Sequence, residues 1–247
     1  MYSRKIKKAS ELIKNSNKTM VLTGAGISTE SGIPDFRSPG TGLWENIDPM
    51  EVLSTTVLYN DPERFYKDGF NIILDMMDAE PNKAHNILVE MERKGFIHGI
   101  ITQNIDNLHQ KAGSKYVLEV HGNTRDASCM NCGNTLGTRE LNYKVNNGEI
   151  PPKCHICGGI LRPDVILFGD MLPEAFNTAL KEVETSDLLI IIGSSLMVAP
   201  VNYLPQIAEK LIIINKGYTH LDNLCEVKIE SGAGDTLEAI LEEIERE

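Results

Sequence analysis

The stretch Thr19-Met20-Val21-Leu22-Thr23-Gly24-Ala25-Gly26-Ile27-Ser28 passes from an apolar, β-prone run straight into two glycines. The run reads as a buried strand. Glycines at its end let the backbone turn sharply and approach a pyrophosphate, whose charge suits the N–H groups that open a following helix. A standard dinucleotide fingerprint would place a third glycine at position 29, but Thr29 stands there, and Asp35-Phe36-Arg37 follows instead. The pattern implies a dinucleotide site put to a use other than hydride transfer.

Outward from this stretch, apolar runs recur at 97–102, 116–120, 165–168, 188–192, 211–214 and 227–229. Helical patterns lie between many of them, at 62–78, 82–94, 173–184, 201–209 and 236–246. Such alternation predicts a mainly parallel sheet covered on both faces. Two segments break it. Residues 31–60 are rich in Pro, Gly and Ser, hold the single tryptophan, Trp44, and read as a long loop beside the site. Residues 125–162 are polar and cysteine-bearing, with too few apolar residues for a core of their own.

Hydrophobic content of 41% and charged content of 24% are those of an ordinary globular chain. A net charge of -11 argues against a sequence-independent grip on DNA or on an anionic membrane, and permits attraction to basic partners. No run approaches the roughly 20 apolar residues of a membrane span. The first residues, MYSRKIKKASELIKNS, lack a signal-peptide core and read as an amphipathic surface helix. The expected location is the cytoplasm.

Four of the five cysteines form two knuckles, Cys129-Met130-Asn131-Cys132 and Cys154-His155-Ile156-Cys157. In a reducing compartment this spacing predicts one structural Zn²⁺ held by Cys129, Cys132, Cys154 and Cys157. Cys225 has no partner and reads as a small buried residue beside a late strand.

Polar clusters follow four of the apolar runs: Gln103-Asn104-Ile105-Asp106, His121-Gly122-Asn123, Gly193-Ser194-Ser195 and Asn215-Lys216-Gly217. Each alone could be a turn or a helix cap. Together, at the carboxyl ends of parallel strands, they point into the ligand crevice of an open α/β sheet. His121 is the titratable group there whose pKa lies near neutral, and so is the candidate general base. His109 reads as a capping or packing residue, and His85, His98 and His220 as plain surface or core histidines.

Taken in order, Gly24–Ser28, Gly32–Arg37, Thr102–Asp106, His121–Asn123, both cysteine pairs, Phe168-Gly169, Gly193–Ser195 and Asn215 resemble the sirtuin family of NAD-dependent protein-lysine deacylases. The resemblance spans nearly the whole chain. It implies a Rossmann-like parallel-sheet domain, residues 1–124 and 163–247, with an inserted small zinc-ribbon domain, residues 125–162, to which 31–80 is joined. It further implies NAD as co-substrate, one structural zinc and acetyl-lysine proteins as partners, with nicotinamide as product and inhibitor.

Carried over residue by residue, Gly24, Ala25, Gly26, Thr29, Asp35, Phe36 and Arg37 would line the NAD site. Gln103, Asn104, Ile105, Asp106 and His121 would do the same, and Gly193, Ser194, Ser195, Asn215 and Ala233 would complete it. Phe36, Ile105 and Asp106 would form the nicotinamide pocket. His121, Asn104 and Asp106 would be catalytic. Val165, Phe168, Gly169, Met197 and Val198 would border the peptide. Members specialised for acidic acyl groups carry a Tyr-x-x-Arg motif, but here Gly69 stands three places after Tyr66, so acetyl-lysine is the expected substrate. Deacylation of longer apolar groups and protein mono-ADP-ribosyl transfer are the alternatives. A non-catalytic NAD or acyl-peptide sensor is the third reading.

Overall fold

The computed structural model describes residues 2–35 and 48–246. The large sheet receives β1 (Thr19–Thr23), β2 (Gly99–Thr102), β3 (Val117–Glu119), β7 (Leu188–Ile192), β8 (Leu211–Ile214) and β9 (Val227–Ile229). A smaller unit holds β4 (Gly122–Cys129), β5 (Thr135–Gly137), α7 (Thr138–Asn146) and β6 (Leu161–Val165). The remaining helices are α1 (Tyr2–Lys14), α2 (Thr55–Asn60), α3 (Pro62–Arg64), α4 (Phe70–Asp75), α5 (Lys83–Arg93), α6 (Leu108–Ala112), α8 (Glu174–Glu184) and α9 (Ala233–Arg246).

Among the described residues the large sheet has six strands in the order β3-β2-β1-β7-β8-β9, paired in parallel throughout. Its strands are near-continuous apolar runs because both faces are covered. On β7, Leu188, Ile190 and Ile192 join the core beneath α1, α5 and α9, while Leu189 and Ile191 join the opposite core beneath α8 and the turn at Val201–Gln206. Strands β5, β4 and β6 form a separate antiparallel sheet. A Rossmann-like sheet carrying an inserted small sheet is the fold class the sequence predicts.

The structure departs from the sequence reading at several elements. The run at 165–168 is not a strand of the parallel sheet. Its first residue ends β6, which pairs with β4 in the small sheet. Along β6 buried and half-buried residues alternate, as suits a sheet with one covered face. The helix expected at 62–78 is divided into α3, a π-helical turn at Phe65–Gly69 and α4. The helix expected at 201–209 is a 3₁₀ turn with Pro205 inside it, which removes a donor the α-helix would need. Within 31–60, α2 is helical, while Trp44 lies outside the described residues.

The polar segment 125–162 solves its want of a core by sharing one. Ala127, Leu141 and Leu161 pack in a single cluster with Leu58, Phe65, Tyr66, Phe70 and Ile73 from α2–α4. The small sheet itself runs from Gly122 to Val165, beyond 125–162 at both ends.

His85 and His109 are fully buried between α5, α6 and β1, with ring centroids 4.9 Å apart. Thr23 gives its hydroxyl proton to Thr102 at 2.8 Å, so its oxygen accepts from His109 Nε2 at 2.9 Å. Burial pushes the His85 imidazole down to about 4. Burial and the neighbouring His85 push His109 down to about 3. Both folded-state values lie below the unfolded value, so the unfolded chain takes up these protons first. The pair's stabilisation is therefore full above about pH 6.5 and is lost progressively as pH falls through about 4 toward about 3. Urea unfolding should show a loss of a few kcal/mol over that window, and a His85→Gln variant should lose less.

Candidate functional site

The carboxyl ends of the parallel strands deliver Gly24 (after β1), Gln103 (after β2), His121 (after β3), Gly193 (after β7) and Asn215 (after β8) to one cavity of about 720 Å³. The sheet order reverses direction between β1 and β7, which makes this the switch point where α/β sheets bind ligands. From β2 to β8 is three strand spacings, roughly 14 Å, a span that an extended dinucleotide can bridge.

At the switch point two backbones cross. Gly26 N–H donates to Gly193 C=O at 2.8 Å. A Cβ on Gly24 would lie 2.9 Å from Gly193 O, and one on Gly26 would lie 2.8 Å from Gly193 Cα. Gly193 itself has φ +63, and a Cβ there would lie 2.3 Å from Ile27 N. The glycines therefore serve the crossing as well as any approach to phosphate. The segment after them forms short 3₁₀ helical turns at Ala25–Ile27 and Thr29–Ser31.

Beneath the cavity lies a hydrogen-bonded floor. Ser28 donates its hydroxyl to Asp106 Oδ2 at 2.7 Å, and Leu108 N–H donates to Asp106 Oδ1 at 3.0 Å. Asn104 Nδ2 donates to Ser28 Oγ at 3.1 Å and to Gly24 O at 3.3 Å. Gln103 Nε2 donates to Ser194 Oγ at 2.9 Å. Asp106 is 3% exposed, and burial raises its carboxyl pKa against the hydrogen bonds that lower it. Gln103, Asn104 and Ile105 line the cavity, whereas Asp106 sits below them and braces Ser28.

His121 is held by its Nδ1, 3.0 Å from the Gln103 carbonyl oxygen. A carbonyl only accepts, so Nδ1 carries the proton and the neutral ring presents Nε2 as a base. Burial lowers the His121 pKa, with the Gln103 bond acting in the opposite direction. The ring is therefore neutral at pH 7.

Ala25, Thr29, Asp35, Ser195, Ala233, Val165, Phe168, Gly169 and Val198 line the same cavity. Phe36 and Arg37 lie outside the described residues. Met197 is 68% exposed and is not part of the lining. Tyr66 does not face the cavity either: it is 1% exposed and donates to Leu161 O at 2.5 Å in the core of the small unit. Gly69 packs on Val52, whose carbonyl oxygen would lie 2.1 Å from an added Cβ. Leu53, Ile72, Ile73 and Met76 supply an apolar wall instead. Sequence reading missed this wall, because apolar residues at helical spacing look the same whether they pack in a core or line a cavity. Ser28 was also missed as a bracing residue, although it stands in the opening motif.

The four knuckle cysteines bring their Sγ atoms within 4.8 Å of one another. Cys129 and Cys157 are 3.5 Å apart, and Cys132 and Cys154 are 3.8 Å apart. Disulfide sulfurs would be about 2.05 Å apart. A tetrahedral ion with metal–sulfur bonds of about 2.3 Å sets its ligands roughly 3.8 Å apart. Backbone N–H groups of Asn131, Ile156 and Gly159 donate to the sulfurs at 3.5, 3.4 and 3.4 Å, which favours thiolates. The donor set is closed, soft and suited to Zn²⁺, and none of the four cysteines lines the cavity. His155 is exposed, and Cys225 packs against the α8-side core.

Sheet order, strand-end cavity and four-thiol cluster define a Rossmann-like nucleotide-binding protein with a zinc-ribbon insertion. The chain belongs to the Sir2 family, whose model matches residues 24–200. It is 65% identical over 234 residues to the NAD-dependent protein deacetylase 2 of Caldanaerobacter subterraneus subsp. tengcongensis, covering 95% of this chain and 94% of that one. A Sir2 structure with a deacetylated p53 peptide and 3′-O-acetyl ADP ribose superposes with a TM-score of 0.91 at 37% identity, covering 96% of this chain and 98% of that one. A Sir2–p53 peptide–NAD⁺ structure gives 0.86 at 37% identity, covering 96% and 97%.

Purified protein should contain one zinc per chain by elemental analysis. Cys129→Ala should lose it and lower the melting temperature, because the metal holds a segment that lacks a core of its own.

Proposed function

We infer that the chain is an NAD-dependent protein-lysine deacetylase, which removes acetyl groups from lysine side chains and yields nicotinamide, free lysine and O-acetyl-ADP-ribose. The observation that carries this reading is His121: its Nδ1 is fixed by Gln103, and its Nε2 is a base at the wall of a cavity that spans the strand ends. Kinship at 65% identity with an NAD-dependent deacetylase supports it.

NAD supplies a glycosidic bond whose cleavage frees nicotinamide and leaves an electrophilic ribose carbon. The chain's own residues do the rest. Nε2 of His121 takes the proton of a hydroxyl presented to it. Asn104 and Gln103 offer polar groups held by Ser28 and Ser194. Asp106 keeps Ser28 and the turn at Leu108 in place. Ser195, Asn215 and Ala233 receive the adenosine half. The apolar wall of Leu53, Ile72, Ile73 and Met76 excludes water from the acyl group. The zinc, held by Cys129, Cys132, Cys154 and Cys157, is structural. The large domain, near 1–124 and 163–247, carries NAD, and the small domain, near 125–162, closes the peptide side, which Val165, Phe168, Gly169 and Val198 border. Among the described residues no helix is long and apolar enough to cross a membrane. We place the enzyme in the cytoplasm.

His121→Ala should cost about 10²–10⁴ in kcat while leaving zinc content and melting temperature near wild type. The base works unprotonated and its pKa is depressed, so kcat/KM should fall only on the acid side of the ordinary histidine value, about 6.5. Mass spectrometry of the products tests the reading as a whole. O-acetyl-ADP-ribose supports it, whereas a protein made heavier by ADP-ribose favours transferase activity.

The acyl preference rests on the cavity wall rather than on position 69. Lys216 is the one lysine or arginine among the described lining residues, and it follows β8 beside Asn215, not an element that supplies the apolar wall. A succinyl carboxylate against that wall would be buried without a cation from the described lining residues. The kcat/KM for acetyl-lysine should exceed that for succinyl-lysine by more than about tenfold in one peptide.

A further inference from the structure

The segment that leaves β6 is held by an ion pair to which the catalytic scheme gives no part. Arg162 Nη1 donates to Asp170 Oδ1 at 3.0 Å, and Nη2 donates to Asp170 Oδ2 at 2.5 Å. Nη2 also donates to Val165 O at 2.7 Å, and Asp170 Oδ2 accepts from Leu167 N–H at 2.8 Å. The two side chains are 15% and 19% exposed. The fork thus closes a ring across residues 165–170, which together line the cavity. Planar bidentate pairing of this kind is strong and fixes direction as well as distance.

Other bonds secure alternate residues along the same loop. Ile166 N–H donates to His121 O at 2.9 Å, Phe168 N–H donates to Leu53 O at 3.0 Å, and Thr55 N–H donates to Phe168 O at 2.9 Å. Gly169, at φ +96, turns the chain, and Asp170 N–H donates to Leu167 C=O at 3.0 Å across that turn. The loop is therefore extended over residues 165–168, where it is tied to Leu53, α2 and His121, and it then turns at Gly169 above the Arg162–Asp170 fork.

We propose that Arg162 and Asp170 are positioning residues for the substrate peptide, holding residues 165–168, and the turn that follows them, as a preformed edge on which an acetyl-lysine strand adds. The proposal rests on the deacetylase reading. An extended peptide that adds to an ordered edge need not order that edge on binding, and this preorganisation appears as affinity. Removing one partner leaves the other partly buried and unpaired, and frees Leu167 N–H or Val165 C=O from its bond. The cost should fall on peptide binding. Gln103, His121 and Ser194 do not touch the fork.

The test compares Arg162→Met, Arg162→Lys and Asp170→Asn with wild type, using one acetyl-lysine peptide. Steady-state kinetics are paired with calorimetric titration of the peptide, and zinc content and melting temperature are followed for each protein. The peptide KM and dissociation constant should rise at least about tenfold in Arg162→Met and Asp170→Asn, while the NAD KM and kcat at saturating peptide stay within about threefold. Arg162→Lys keeps the charge but not the fork and should recover only part of the affinity. Unchanged peptide affinity, or an equal loss in kcat and in NAD KM, overturns the proposal and leaves the pair a structural brace. Should Arg162→Met fold poorly, Asp170→Asn, nearly isosteric and neutral, decides by the same criteria. A wild type that neither binds nor deacetylates the peptide overturns the deacetylase reading, and the proposal falls with it.

Discussion

Two chain segments cross at the middle of the large sheet with no side chain between them. Gly24 and Gly26 pass over Gly193 so closely that a methyl group on any of the three would meet backbone atoms. The crossing lies where β1 and β7 are neighbours although most of the chain separates them in sequence. Everything inserted between β3 and β7 must therefore return the chain to within one strand spacing of its start. The cavity exists because the connections on either side of this point leave in opposite directions and open a crevice. The polar floor hangs from the same point, since Asn104 donates to the Gly24 carbonyl and Gln103 to Ser194, the residue next to Gly193.

Charge and proton positions in the site follow from burial more than from pairing. Asp106, His121, His85 and His109 lie where water is scarce, and desolvation leads the causes of each shift. The two directions differ because desolvation disfavours charge: it raises a carboxyl and lowers an imidazole. His121 differs from the other two histidines in its surroundings, not in its protonation. It opens onto the cavity, while His85 and His109 face only protein. The same chemistry thus gives a usable base in one place and a structural group in the other.

The large sheet was legible because its strands must be apolar on both faces, and the runs 188–192, 211–214 and 227–229 coincide with β7, β8 and β9. The zinc cluster was legible because thiolate spacing is a local property of the chain. The strand-end polar clusters were legible for the related reason that a parallel strand must end at the crevice. The small unit was not. Its strands are half-buried and polar, and its core is borrowed from α2–α4, a contact between distant segments that periodicity cannot register. Tyr66 shows the same limit. Its sequence position suggested a residue at the acyl site, but its hydroxyl found an acceptor at Leu161 O within the shared core. Gly69, read for the guanidinium it lacks, is glycine because Val52 leaves no room for a side chain.

The chain enters the small unit just after β3 and leaves it just after β6, and these two crossings pair with each other, Gly122 opposite Val165. Two adjacent, hydrogen-bonded crossings act mechanically as one pin. Any rotation of the small unit about that pin must carry α2–α4 with it, because the two share one core. His121 stands beside the pin, with its carbonyl bonded to Ile166 N–H across the two crossings. The base is thus mounted on the axle, and the sheet that carries the metal is the lever arm.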